Sequence, residues 1–120
     1  MSDVRDPSTD QPLPKPGKDY VQEYMIDNLR ASIDMDDEIR AALIRGIEAR
    51  RELGIRKYGR PLETFNGRDA LADAWDEALD LWTYVNQLEM EDNDTGSLPG
   101  VVLSIVFRLT MRRINRGDCF

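Results

Sequence analysis

The sequence predicts an all-α protein, a four-helix bundle behind a flexible N-terminal arm. Three observations carry that prediction. Apolar residues recur every three to four positions in four separate stretches, and helix-start and helix-stop residues bound those stretches. Four of the six prolines fall within the first 17 residues, so the rest of the chain is almost free of helix breakers. At 120 residues the chain is long enough for one core and no more. We therefore divide it into an arm, residues 1–17, and a single helical domain, residues 18–120.

The arm is rich in Pro, Asp, Ser and Thr with almost nothing apolar, which makes it flexible or extended. The first helix is predicted over residues 18–33, where Val21, Met25, Leu29 and Ile33 recur at every fourth position with Ile26 beside them. Asp34, Met35, Asp36 and Asp37 supply a break and a new N-cap. A second helix over residues 37–53 carries Ile39, Leu43 and Ile47 on its core line, and Gly54 stands where a C-cap glycine belongs. Glu48 and Glu52 lie one turn apart on its flank. They are either partners for nearby arginines or half of an acidic site.

Residues 55–67 read as a loop from their Gly, Pro and Asn-Gly signals. Arg56, Lys57 and Arg60 surround Tyr58 there. Two readings stand: cations for phosphate oxygens with Tyr58 as a flat face for a base, or a lid in which Tyr58, Leu62 and Phe65 pack down over the core.

The third helix, residues 66–89, has two faces. Leu71, Ala74, Ala78, Leu81, Val85 and Leu88 form an apolar arc, with Trp75 and Trp82 at its edge. Asp69, Asp73, Asp76, Glu77 and Asp80 form a neighbouring acidic strip. Like charges one turn apart repel, so the strip calls for a divalent cation or for full solvation, with Asp69 favourably placed at the helix N-terminus. After a polar turn over residues 91–96, Ser97 and Pro99 open a last helix that runs to Asn115. Val101, Val102, Leu103, Ile105, Val106, Phe107 and Leu109 make its first turns apolar nearly all round, as in a central helix or one covered by another subunit. The β-branched content leaves a strand open for residues 101–107. Arg108, Arg112, Arg113 and Arg116 load its end, where cations suit the helix dipole.

Composition narrows the chemistry. A formal charge of -7 argues against duplex nucleic acid and anionic membranes as partners. With no histidine, the usual general base, histidine-ligated zinc and Ser-His or Cys-His nucleophiles are excluded. Carboxylates, Lys, Arg, Tyr and a hard metal remain. The single cysteine, Cys119, allows no internal disulfide, so a reducing compartment is expected. No signal peptide is visible, and the longest apolar run is too short to span a bilayer.

Glu77-Ala78-Leu79-Asp80, followed by Leu81-Trp82-Thr83-Tyr84-Val85, resembles the ExxD motif of the MazG-like, all-α nucleoside triphosphate pyrophosphatase superfamily. Lys57-Tyr58-Gly59 and Asn66-Gly67-Arg68-Asp69-Ala70-Leu71 resemble a subgroup of small actinobacterial and phage proteins. The likeness covers roughly residues 45–90. It implies a MazG-like bundle, a homodimer or homotetramer, in the cytoplasm (the host's, for a phage protein). It also implies that Mg²⁺, or Mn²⁺ in its place, is held by acidic residues of two helices while a (deoxy)nucleoside triphosphate is split to the monophosphate and pyrophosphate. Carried over residue by residue, Glu77 and Asp80 are metal ligands, Asp73 completes or replaces the set, and Glu48 and Glu52 stand for the first motif. All but Asp73 are also the catalytic set. Lys57, Tyr58, Asn66 and Arg68 are nucleotide contacts by analogy. The departure lies in the first motif: the family has ExxE, and this chain has a spacing of four between Glu48 and Glu52. That favours a rival, a protein that sequesters a nucleotide without cleaving it. A third reading is a helical interaction oligomer with a solvated acidic strip.

Overall fold

Each of the four stretches with helix-forming periodicity is a helix in the computed structural model: α1 (Val21–Ala31), α2 (Asp37–Tyr58), α3 (Ala70–Met90) and α4 (Leu98–Asn115). The fold class is all-α, as predicted, and residues 101–107 are helical rather than a strand. The structure describes residues 5–6 by their backbone, together with residues 10–91 and 93–120. The rest of the predicted arm and Asp92 of the polar turn lie outside the described residues. Two short strands, β1 (Arg5–Asp6) and β2 (Gln11–Pro12), pair antiparallel with Arg5 opposite Pro12. Among the described residues no helix is long and apolar enough to cross a membrane. The chain forms two compact units, Met1–Arg68 and Asp69–Phe120.

In the first unit α1 and α2 run antiparallel. Asp36 is the N-cap of α2, its Oδ1 accepting from the amides of Glu38 (2.9 Å) and Ile39 (3.1 Å). Arg40, one turn into α2, closes the end of α1: its Nε donates to the Leu29 carbonyl (2.9 Å), and Nη2 donates to those of Ser32 and Met35. A helix end leaves carbonyls without intrahelical partners, and one guanidinium fork satisfies three carbonyls around this turn. Replacing it with alanine removes all three bonds, although the Leu29 carbonyl keeps the Ser32 amide (3.3 Å). We expect Arg40→Ala to destabilise this unit by about 2 kcal/mol in chemical denaturation, with Arg40→Lys recovering only a fraction. Equal stability of Arg40→Ala and wild type would show that water caps the turn as well.

α2 outruns its predicted end by five residues. Gly54 remains helical and Gly59, at φ 78°, is the C-cap, its amide reaching the Ile55 carbonyl (2.7 Å). Arg56, Lys57 and Tyr58 therefore occupy the last helical turn, and the loop begins at Gly59. A mid-helix glycine costs only about 1 kcal/mol, whereas Pro61, two residues beyond Gly59, stops the helix outright.

The expected flexible arm is extended and docked along its described C-terminal part. Backbone bonds link the Lys15 amide to the Asn66 carbonyl (2.9 Å), Lys18 to Thr64 (2.9 Å), Thr64 back to Asp19 (2.8 Å) and Val21 to Leu62 (3.0 Å). The arm thus lies antiparallel to residues 62–66. Gly17 passes so close to the Thr64 carbonyl that a Cβ there would collide with it. Arg68 donates to the Pro12 carbonyl (3.1 Å).

In the second unit Asp69 caps α3, its Oδ1 accepting from the Ala72 amide (3.1 Å). Asp69 meets Arg116, and Trp75 meets Thr110; six residues forward on one strand of chain match six backward on the other, so α3 and α4 are antiparallel. Between the two helices Ala78 and Val85 of α3 and Val102 and Val106 of α4 are buried. Beyond α4 the C-terminus folds back. The Arg113 guanidinium lies 4.9 Å from the Trp75 ring and 4.7 Å from the Phe120 ring, and the two rings are 5.1 Å apart. Arg116 grips Asp69 through both terminal nitrogens (3.0 and 2.5 Å) and Asp118 through Nε and Nη2 (2.8 Å each).

The Arg116 and Arg113 guanidinium groups pull the Asp118 carboxyl down from 3.8 to about 2, and Arg116 lowers Asp69 as well. Between those values the folded unit keeps a carboxylate that the unfolded chain protonates. The unfolded state binds more protons there, so stability is present above pH ~4 and is lost as pH falls towards 2. Melting temperatures measured across that window should fall less steeply for Asp118→Asn than for wild type. An unchanged acid slope would remove Asp118 from the account.

Candidate functional site

The acidic strip of α3 sorts itself in the structure. Asp69, counted as its first member, is withdrawn: it caps the helix and is held by Arg116. Asp73 is half-buried and Asp76 likewise, while Glu77 and Asp80 are exposed. Spacings of four and three place Asp73, Glu77 and Asp80 along one side of the helix. Among the described residues no Lys or Arg pairs with Glu77 or Asp80. Glu48 and Glu52, exposed and one turn apart on α2, have no ion pair among the described residues either. The expectation that arginines of the same helix neutralise them is not met; Arg51 turns instead to Glu23 of α1, 3.4 Å away.

Glu48 and Glu52 belong to the first unit, and Asp73, Glu77 and Asp80 to the second. Among the described residues no three acidic side chains converge closely enough to enclose an ion. The donors on α3 are nonetheless of the right kind for a hard cation: oxygen only, on a rigid helix, and open to water. Mg²⁺ characteristically keeps several waters and takes one or two carboxylates together with substrate phosphates.

The basic segment is built differently from its reading as a simple loop. Lys57 places its ammonium 4.9 Å from the Tyr58 ring on the last turn of α2, so the two are brought together. Asn66 is buried and holds the turn: its Oδ1 accepts from the Arg68 amide (3.2 Å) and its carbonyl from Lys15. Arg68 clamps the arm through Pro12. The lid of Tyr58, Leu62 and Phe65 is not formed. Phe65 is 80% exposed at φ 54°, the left-handed region that bulky side chains rarely adopt, and Leu62 is exposed as well. Lys18, which the sequence offered only as a helix start, lies 5.7 Å from the Phe65 ring. The Asn66-Gly67 pair marks a turn, yet nothing in the sequence reports the sign of the preceding φ.

No protein-family model matches the chain, and neither the curated proteins nor the solved structures hold a match to it. The likeness to the MazG-like superfamily therefore rests on the motifs themselves.

Proposed function

We propose that the chain is a Mg²⁺-dependent nucleoside triphosphate pyrophosphohydrolase of the MazG-like kind, acting in the cytoplasm as a homodimer or homotetramer. The observation that supports this reading is the pair Glu77 and Asp80: two exposed carboxylates one turn apart on α3 with no cationic partner among the described residues, while Asp69 at the helix cap is taken by Arg116. Carboxylates repeated along one side of a helix repel one another, and a hard cation relieves that repulsion.

In this reading Glu77 and Asp80, with Asp73, would hold Mg²⁺, and Glu48 and Glu52 of α2 stand for the first motif by the resemblance alone. When bound, the ion neutralises triphosphate charge and activates the attacking water. Water adds to the α-phosphorus, the α–β P–O bond breaks, pyrophosphate leaves, and the proton is released to a carboxylate or to solvent. Lys57 offers its ammonium to phosphate oxygens, with Tyr58 beside it. Self-association is supported by exposed apolar side chains on α4, among them Val101, Leu103, Ile105 and Phe107.

A second reading, a protein that binds a nucleotide without cleaving it, is favoured by the spacing of four between Glu48 and Glu52. Pyrophosphate release from a panel of canonical and modified (deoxy)nucleoside triphosphates, with and without Mg²⁺, separates the two. Metal-dependent release from any of them supports the enzyme. Silence across the panel with a Mg²⁺-dependent rise in melting temperature supports sequestration, since a ligand of the folded state raises apparent stability. Silence in both leaves a helical interaction protein.

A further inference from the structure

The most conspicuous backbone outlier that carries a large side chain is Phe65. A non-glycine residue at φ 54° is strained, and here the strain holds an apolar ring 80% open to water. Burial offsets neither cost. The ring helps line a shallow, open hollow with Pro16, Gly17 and Lys18. The hollow exists because the arm is strapped along residues 62–66, and the strap requires glycine at position 17.

One lysine lines this hollow and a second runs alongside the Asn66-Gly67 turn, in a chain of net charge -7. The Lys18 ammonium lies 5.7 Å from the ring centre. The Lys15 stem runs across Gly67, close enough that a Cβ there would meet its Cε at 2.8 Å. Among the described residues neither ammonium pairs with a carboxylate, and the adjacent Glu63 is taken by Arg60 at 3.5 Å. The Lys18 ammonium lies over one face of a ring that is 80% exposed, and such an aromatic with cations beside it suits a ligand that is planar at one end and anionic at the other.

We infer that Phe65, Lys18 and Lys15 form a nucleotide-binding platform on the first unit, with the base stacked on Phe65 and phosphate oxygens taken by the two lysines. Its ligand class is that of the proposed enzyme, but its residues are not, so the two readings fail separately. The ligand is a mononucleotide or a single-stranded oligonucleotide, which share base and phosphate.

The test is calorimetric titration of the full chain in EDTA, where no metal-dependent binding contributes. The probes are dATP, inorganic tripolyphosphate and a short oligo(dT). Wild type should bind dATP or the oligonucleotide more tightly than tripolyphosphate. Phe65→Asn accepts the left-handed backbone without strain, so its melting temperature should equal or exceed that of wild type while base-dependent binding weakens about tenfold. Phe65→Leu keeps the apolar bulk without the π face and should weaken binding similarly. Lys18→Gln should weaken all three probes. Binding of oligo(dT) but not dATP assigns the platform to single strands. The inference is overturned if wild type binds none of the probes, if it prefers tripolyphosphate, or if both Phe65 variants bind as wild type does. Glu77→Gln should leave these titrations unchanged, which keeps the outcome independent of pyrophosphate release.

Discussion

Glu77→Gln should reduce Mg²⁺-dependent pyrophosphate release by about a hundredfold or more. The change is nearly isosteric and removes one formal charge from the α3 strip. Loss of an outer-shell partner of a bound metal already costs roughly 10–100-fold in affinity or activity, and a direct ligand should cost at least as much. Because Glu77 is exposed and pairs with no cation among the described residues, its loss should leave the fold intact. It should even relieve repulsion from Asp73 and Asp80, so the metal-free melting temperature should hold or rise slightly. The Mg²⁺-dependent rise should disappear with the activity. Glu89→Gln, on the same helix but off the strip, is the control and should release pyrophosphate as wild type does. If Glu77→Gln retains both activity and the Mg²⁺ shift, Glu77 is not a ligand and the strip is a solvated face.

Trp75→Ala should be the most damaging single change to the α3–α4 unit. The indole donates to Thr110 Oγ1 at 2.9 Å, stacks against Phe120 and receives the Arg113 guanidinium on its face. These contacts tie α3 to α4 and to the returning C-terminus near the open end of the hairpin. Large-to-small changes of aromatic residues cost about 3–5 kcal/mol when buried. Trp75 is only half-buried, so about 3 kcal/mol is expected. For a unit this small that lowers the melting temperature by roughly 10–20 °C. Trp75→Phe retains the stacking and loses the hydrogen bond, leaving a loss of about 1 kcal/mol. Denaturation followed by circular dichroism checks both, and equal midpoints for Trp75→Ala and wild type would show that the valine seam alone holds the hairpin.

The candidate site was legible where it lies on one helix. Asp73, Glu77 and Asp80 share a side of α3 because a helix repeats every 3.6 residues, and that follows from spacing alone. Asp69 did not belong with them: it caps the helix through the Ala72 amide and is held by Arg116, 47 residues away. The apolar lines of α1 and α2 were legible too, but not their burial: Ile33 is 92% exposed and Ile39 and Leu43 are exposed, while Ile26, placed beside the line, is buried. Periodicity says which residues share a face and is silent on what covers it.

What the sequence by itself determined is local: four helices, an N-cap for α2 within residues 34–37, where Asp36 serves, and the Ser97–Pro99 opening of α4, although Ser97 makes no side-chain cap bond and α3 begins at Ala70 rather than at residue 66. Capping, propensity and repeat length act within a few residues, so they are written in neighbouring letters. The end of α2 at Gly59 rather than Gly54 is local too, set by Pro61 just beyond it, whereas docking the arm and opening Phe65 to water were decided by tertiary structure. Each depends on groups brought together from distant parts of the chain, as when the Asp19 amide meets the Thr64 hydroxyl 45 residues on. A backbone hydrogen bond carries no side-chain signature, so a strap made of them leaves no mark in the sequence that forms it.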